Sequence, residues 1–447
     1  MINNKEKIET VYIEKIAHGG QGLGKLPGGK IIFVDRGYPG ELVEVKIVRE
    51  KKDYAIGYAH NILEKINERR SPACPYFGKC GGCQWMDINY EKQIEFKESI
   101  VKDQLNRIAK IPPEFVESIE KSSHEFEYRL KMEYAFDYKN EVFLGLKEKN
   151  SNKVIPLKNC PISPKVFNRA LTVVPKIVEE LKIPVYKNKR GILKHLVMRY
   201  SPSEGTVMAI FVTKTENLPF DKLIATQLIK HIPGISSVIH VMNSVDKIVL
   251  RGPYKVLKGE GVLSIEFDWE KFQIPPTAFF QNNYYITSKL IETITKRLEL
   301  TGKEIVLDLY SGIGTFTMRL AALSKHVTAV ENNRIAIKAG RANANINNLR
   351  NINFVIGDAE KFLENNPEKY DVIVLDPPRT GAGKNVINKI LQSSPQKIAY
   401  VSCDPSTLAR DLKILLDSQK YKLLFVKPFD MFPQTYHVES LALLKKK

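Results

Sequence analysis

The chain has 447 residues, 43% of them hydrophobic, with 68 Lys and Arg against 50 Asp and Glu for a net charge of +18. That length leads to roughly two to four domains with a sizeable core, and the apolar content is ordinary for a globular protein. No apolar run is long enough to span a bilayer and Met1-Ile-Asn-Asn-Lys-Glu6 is no apolar signal region, so a cytoplasmic protein without a membrane partner is expected. The basic excess is spread over the middle and C-terminal parts, which favours a polyanion, nucleic acid above all. Five cysteines, an odd number, argue against a disulfide framework.

Residues 8–60 read as all-β. Short apolar stretches (Ile31–Val34, Leu42–Val48) are separated by glycine-rich turns such as Gly19-Gly-Gln-Gly22 and Pro27-Gly-Gly29. A small five-stranded barrel of the OB type fits, a common nucleic-acid platform. The run Ala17-His-Gly-Gly-Gln-Gly-Leu-Gly24, with Gly37-Tyr-Pro-Gly-Glu41, resembles the TRAM domain of RNA-modifying enzymes.

Cys74, Cys80 and Cys83 follow, joined by Gly78, Gly81 and Gly82. Clustered thiols on glycine-rich backbone suit a metal centre, and Cys160, followed by Pro161, is the available fourth ligand. Zinc usually takes two closely spaced pairs. A three-plus-one set fits a [4Fe–4S] cluster better, although its spacing is not that of radical enzymes that cleave S-adenosylmethionine. Residues 90–110 show helical apolar spacing at Ile94, Ile100, Val101, Leu105 and Ile108. Residues 125–270 alternate β-rich runs (Val197–Tyr200, Val207–Val212, Val238–Val241) with helical patterns, an α+β middle domain. Arg129 and Lys131 are candidate phosphate contacts in it.

Pro275–Asn283 is a candidate substrate rim leading into a helix over Tyr284–Leu298. From Glu304 the pattern is regular α/β. Strands are expected at Ile305–Leu309, His326–Val330, Asn353–Ile356, Tyr370–Leu375 and Lys397–Val401, with two more near Tyr421–Val426 and His437–Leu444. A glycine turn, Tyr310-Ser-Gly-Ile-Gly314, opens a helix at Thr315. Glu331, 19 residues after Gly312, lies where an acid grips ribose hydroxyls. NAD is disfavoured because position 317 is Thr rather than a third glycine. Asp308, Glu331, Asp358 and Asp376 form a ring of acids, which suits the sulfonium of S-adenosylmethionine and repels a pyrophosphate. Asp376-Pro-Pro-Arg379 resembles the Asp/Asn-Pro-Pro-aromatic motif of amino-group methyltransferases, but Arg379 replaces the stacking aromatic and argues against amino methylation.

Cys403, in Tyr400-Val-Ser-Cys-Asp-Pro405, is the thiol left over from the set of four. It ends a strand and precedes a helical pattern from Ser406, so it faces the crevice where such sheets bind ligands. Carbon 5 of uracil is too poor a nucleophile to take a methyl group directly. Thiolate addition to carbon 6 makes it one, and a base must afterwards remove the carbon-5 proton. Glu439, in His437-Val-Glu-Ser440, is the candidate base.

The motifs together resemble the RumA/TrmA-type RNA uracil-5-methyltransferase family, in the branch with a TRAM domain and iron–sulfur cluster that acts on 23S ribosomal RNA. The resemblance rests on the TRAM-like start, the four cysteines, Phe279-Phe-Gln281, Asp308–Gly314, Asp376–Arg379, Ser402–Pro405, Phe432-Pro-Gln-Thr435 and His437–Glu439, in order over nearly the whole chain. It implies Cys403 as nucleophile and Glu439 as base. It implies Gln281, Tyr310, Glu331 and Asp376 as contacts to S-adenosylmethionine, and a [4Fe–4S] cluster on Cys74, Cys80, Cys83 and Cys160. Phe279 would stack on or replace an RNA base. The expected architecture is multidomain α/β: a TRAM-like barrel (1–62), a central α+β domain with the cluster (63–270) and a Rossmann-like class I methyltransferase domain (271–447). The family's fold implies that the helix near 93–120 packs on the last of these. The expected partner is 23S rRNA, with tRNA second, and the expected state is monomeric. The competing readings are an iron–sulfur oxidoreductase and a non-enzymatic RNA-binding protein.

Overall fold

The computed structural model describes residues 7–245, 249–366 and 368–447; residues 1–6, which include the stretch read for a signal region, lie outside them. Five strands (Ile8–Ile16, Gly22–Lys25, Ile31–Asp35, Leu42–Glu50 and Tyr54–Glu64) close into a barrel. The alternation in Ile8–Ile16 and Leu42–Glu50 turns Val11, Ile13, Val43 and Val45 inward, where they pack with Ile32, Val34 and Ala55. Closure removes the free sheet edges.

The middle of the chain forms a seven-stranded sheet. Its order is Tyr254–Lys258, Ile235–Met242, Thr206–Thr213, Leu193–Ser201, Lys131–Tyr138, Val142–Lys147 and Val154–Pro156. Only the second and third of these pair in parallel. Side-chain alternation divides the sheet between two cores. Leu196, Met198, Ala209, Phe211 and Val238 pack under the helices Lys165–Glu180 and Asp221–His231. Val197, Ile210, Val212, Ile239 and Val241 pack with Phe272, Ile313, Ile337 and Phe354 from the C-terminal part. The hairpin Leu263–Phe267/Glu270–Ile274 belongs to this second layer. It spans the expected boundary at 270, and Asn343 and Asn347, at the end of the helix Arg334–Ile346, accept from Gln273 N and Lys271 N.

The C-terminal sheet has the order Ile352–Ile356, His326–Glu331, Ile305–Leu309, Val372–Leu375, Lys397–Ser402, Glu439–Lys446, Tyr421–Phe429. Its first five strands are parallel, and Glu439–Lys446 runs antiparallel to both neighbours. The order reverses between Ile305–Leu309 and Val372–Leu375, so the ligand crevice opens at the carboxyl ends of those strands. The helix expected at Thr315 begins at Thr317. Residues 312–316 are turns, the first closed by Gly314 N donating to Ser311 O at 2.9 Å.

The helix Tyr90–Ala109 starts at Asn89, whose side chain accepts from Lys92 N. Ile94, Val101 and Leu105 make one apolar stripe, buried against Leu408, Leu412 and Leu415 of the helix Pro405–Asp417. Lys97, wholly buried on the same helix, is paired with the wholly buried Asp430 and donates to Phe432 O at 3.0 Å. Tyr90 Oη also donates to Asp430, at 2.7 Å. A buried charge is tolerated only with such partners, so this network fixes the segment after Phe429 to a helix more than 300 residues earlier in the chain.

Candidate active site

Cys403 follows the strand Lys397–Ser402 and precedes the helix Pro405–Asp417. The turn that carries it is locked on both sides. Asp404 N donates to Ser402 Oγ (3.2 Å), Ser402 Oγ donates to Asp404 O (3.1 Å), and Asp404 Oδ1 caps the helix by accepting from Ser406 N and Thr407 N at 3.0 and 3.2 Å. The half-buried thiol is pushed up to about 12, by burial first, then by Glu439 and Asp376. Arg379 is the cation that opposes them.

Glu439 opens the neighbouring strand, where Ser440 is in register with Ser402. Its carboxyl is buried and raised well above the usual range, by burial and then by Asp376. Asp376 follows the strand Val372–Leu375 and accepts from Gln281 Nε2 at 3.1 Å. Burial and Asp308 raise it to about 7. Strand ends that neighbour one another in the sheet thus bring Cys403, Glu439 and Asp376 within electrostatic reach, with Gln281 attached from the loop before Tyr284.

The adjoining lobe of the crevice is formed by the glycine turn. Glu331 Oε2 accepts from Gly312 N (3.1 Å) and Oε1 from Asn333 N (2.8 Å). Gly312 has φ +56°, and a Cβ there would meet open space, so the turn leaves the crevice free beside its backbone. Tyr310, half-buried at φ +62°, borders the same turn, and burial lifts its hydroxyl to about 12. Asp308 is buried. Oδ2 accepts from Thr317 Oγ1 at 2.5 Å while Oδ1 has no partner, and burial raises the group to about 7. An unpaired buried carboxylate oxygen is costly, and a cationic or N–H-bearing ligand would satisfy it. Asp358, the other member of the acid ring, is engaged as N-cap of the helix Ala359–Asn365.

Phe279 is 63% exposed at the rim, whereas Phe280 is buried. Their loop is held from beneath by the buried Arg199, which donates to Ala278 O at 2.5 Å. Sequence reasoning passed over Arg199, because a charged residue in a β-rich run carries no sign of burial. It also passed over the groups that hold the loop before Glu439. There Gln434, at φ +69°, donates its backbone N–H to Gln93 Oε1 at 2.9 Å, and Tyr128 Oη donates to Pro433 O at 2.9 Å. His437 is kept neutral: burial, then Arg379, lowers it to about 4.

Cys74, Cys80, Cys83 and Cys160 all line one cavity of about 870 Å³, bordered also by Arg129, Lys131 and Tyr436. Each thiol is raised by burial, and the thiols of Cys80, Cys83 and Cys160 are raised further by others of the set. Gly82 N donates to Cys80 Sγ at 3.4 Å. The four share one space, yet among the described residues no three such groups close on a single metal-ion position.

Residues 89–447 match the family described as tRNA (uracil-5-)-methyltransferase, and residues 5–59 match the TRAM domain. The chain is 49% identical over 441 residues to an uncharacterized RNA methyltransferase of Thermotoga maritima, covering 98% of this chain and 99% of that one. It is 36% identical to a similar protein of Caldanaerobacter subterraneus, over 99% of this chain and 100% of the other. Among solved structures, the tRNA (uracil-54, C5)-methyltransferase of Pyrococcus abyssi, in complex with S-adenosyl-L-homocysteine, superposes with a TM-score of 0.77 at 28% identity, over 97% of this chain and 99% of that one. With a thiol, a buried carboxyl and an acid-lined crevice at the strand ends of its C-terminal sheet, the chain belongs to the RNA (uracil-5-)-methyltransferase family and carries a TRAM domain at its N-terminal end.

Proposed function

We propose that the protein methylates carbon 5 of a uridine in folded RNA through a covalent adduct between Cys403 and carbon 6. The observation that carries this reading is geometric: Cys403, Glu439 and Asp376 stand at the ends of three strands that neighbour one another in one sheet. S-adenosylmethionine supplies an electrophilic methyl group on a sulfonium. Gln281, Tyr310, Glu331 and Asp376 would hold it; the unpaired Asp308 oxygen and the open space at Gly312 support a cationic ligand there. Cys403 would first give its thiol proton to solvent and then bond through sulfur to carbon 6; the ring electrons would move to carbon 5, which would take the methyl group as the sulfonium carbon–sulfur bond breaks and S-adenosylhomocysteine leaves. Glu439, as carboxylate, then removes the carbon-5 proton. The carbon–sulfur bond breaks, the 5,6 double bond returns and the thiolate is released.

The four cysteines fit a [4Fe–4S] cluster in donor chemistry and in the single cavity they line. Such a cluster would tie the loop 74–83, through Cys160, to the central sheet. Its role in this reading is structural, since the methylation balances without a redox step.

The substrate we propose first is 23S rRNA, on the strength of the barrel and cysteine set together with a basic surface. A target uridine in a loop or bulge can be unstacked into the crevice at modest cost, and Phe279 at the rim would fill or stack on the gap. A tRNA uridine is the second reading, favoured by the full-length match to a tRNA enzyme. Mapping 5-methyluridine in rRNA and tRNA from cells with and without the gene decides between them. Loss of one rRNA 5-methyluridine supports the first reading, loss from tRNA supports the second, and no loss from either overturns the activity.

A further inference from the structure

The barrel reaches the catalytic turn through one loop. Its five residues, Ala17 to Gln21, are closed by Ala17 N donating to Gln21 O at 2.7 Å and Gly20 N to Ala17 O at 2.9 Å. From this loop His18 Nε2 comes within 3.5 Å of Asp404 Oδ2. The same oxygen faces Arg379 Nε at 3.4 Å. Asp404 is the residue after Cys403, and its other carboxylate oxygen is committed to the helix cap. Oδ2 is therefore the free handle by which the turn can be held from outside.

The loop also touches the segment that leads to Glu439. Gly20 is buried at φ +81°, and a Cβ there would lie 2.7 Å from Tyr436 Cβ, so only glycine allows this approach. Trp85 Nε1, fully buried, donates to Gly20 O at 3.0 Å and anchors the loop from the cysteine domain. Tyr436 in turn lies near enough to Arg379 to raise its guanidinium, and its ring rests against His437, two residues before Glu439, at 4.2 Å between centroids and a 36° tilt. One barrel loop thus meets both the turn that carries the thiol and the loop that leads to the carboxyl.

We infer that His18 is a positioning residue for methyl transfer: it holds Asp404, and through it Arg379, so that the Cys403 turn presents its thiol to the pyrimidine. The barrel is then part of the catalytic frame, and seating RNA on it bears directly on the nucleophile. Arg379 is the group that needs this constraint. Its side chain is 57% exposed and has Asp404 and Tyr436 as its holds, while it is the cation opposing the acids around Cys403. The charged groups facing His18 itself are Asp404, Arg379 and Arg107; burial, joined by the two arginines, outweighs Asp404 and lowers the imidazole. At 3.5 Å a neutral ring bears on Asp404 by contact and by the dipole of its N–H, without cancelling the carboxylate charge.

This inference rests on the reading of Cys403 as nucleophile, and the test separates the two. Full-length, cluster-loaded wild type, C403A, His18→Leu and His18→Gln are mixed with saturating 5-fluorouridine-substituted rRNA and tRNA and S-adenosylmethionine. Fluorine cannot leave as a proton does, so the adduct accumulates and its single-turnover rate is read. Leu keeps the volume of the side chain without a donor, and Gln keeps a donor. We expect His18→Leu to slow adduct formation about tenfold, as small misplacements of reacting groups do, with the RNA dissociation constant within about twofold of wild type. His18→Gln should recover most of the rate. An unchanged rate in His18→Leu, or a loss seen only as weaker RNA binding, overturns the positioning role. Equal adduct in C403A and wild type overturns the nucleophile assignment instead, whatever His18 does.

Discussion

The methyltransferase crevice and the cysteine cavity are both lined by groups that burial pushes toward their neutral forms, but they are assembled by different means. In the crevice, hydrogen-bonded strands fix the spacing. Cys403, Glu439 and Asp376 sit at the ends of adjacent strands, and their backbones are held by the register of the sheet and by the cap at Asp404. In the cavity, three of the four thiols lie on a glycine-rich loop outside regular structure. The loop meets the central sheet through a few main-chain contacts, such as Gly81 N to Lys147 O at 3.2 Å. The first is organised by the fold. The second encloses a space large enough for a polynuclear centre, and binding of that centre would itself hold the loop in place.

The comparison can be broken by changes confined to one side. Glu439→Gln should leave adduct formation standing while turnover falls by about 10²- to 10⁴-fold, the usual worth of a positioned base; stalled adduct on natural RNA, seen by gel shift under denaturing conditions, checks it. Lys97→Met leaves Asp430 buried without its partner. It should cost about 3–5 kcal/mol in urea unfolding, and Asp430→Asn combined with it should recover part of the loss. Cys83→Ser should remove iron and visible colour and lower the thermal midpoint of the protein. S-adenosylmethionine affinity should stay within a few-fold, measured by calorimetry on the folded fraction. A crevice that collapses with the cluster would show that the two regions are not separately built.

The smallest effect is one of pH. Asp308 and Asp376 are raised to about 7, so they gain protons as the pH falls below that value. A cation prefers them ionised. Affinity for S-adenosylmethionine should therefore rise from pH 6 to pH 8, by up to about tenfold for one linked proton, with proton release on binding at pH 7. S-adenosylhomocysteine, which lacks the sulfonium charge, should show a smaller slope.

What could be read in advance follows the same division. The helix Tyr284–Leu298 and the strand Ile305–Leu309 have the bounds expected of them, because an asparagine cap and a β-rich run ending in a glycine turn are local signals. The placement of Cys403 just after one strand and of Glu439 at the start of its neighbour was legible for the same reason. The roles of Arg199 under the Phe279 loop, Lys97 beneath Asp430 and His18 against Asp404 were not. Each depends on contacts between segments distant in sequence, and no periodicity or spacing marks a charged residue as buried or paired. The order of the central sheet was hidden likewise, because register between non-consecutive strands is set by which faces meet in the core.

The central claim is the covalent role of Cys403. The most direct measurement is to incubate the protein with 5-fluorouridine RNA and S-adenosylmethionine, digest both polymers, and identify the cross-linked peptide by mass spectrometry. The account predicts a single peptide containing Cys403, bearing a methylated fluorouracil nucleotide, and its absence in Cys403→Ala. A nucleotide attached to any other residue, or full methylation of ordinary RNA by the Cys403→Ala protein, would contradict it.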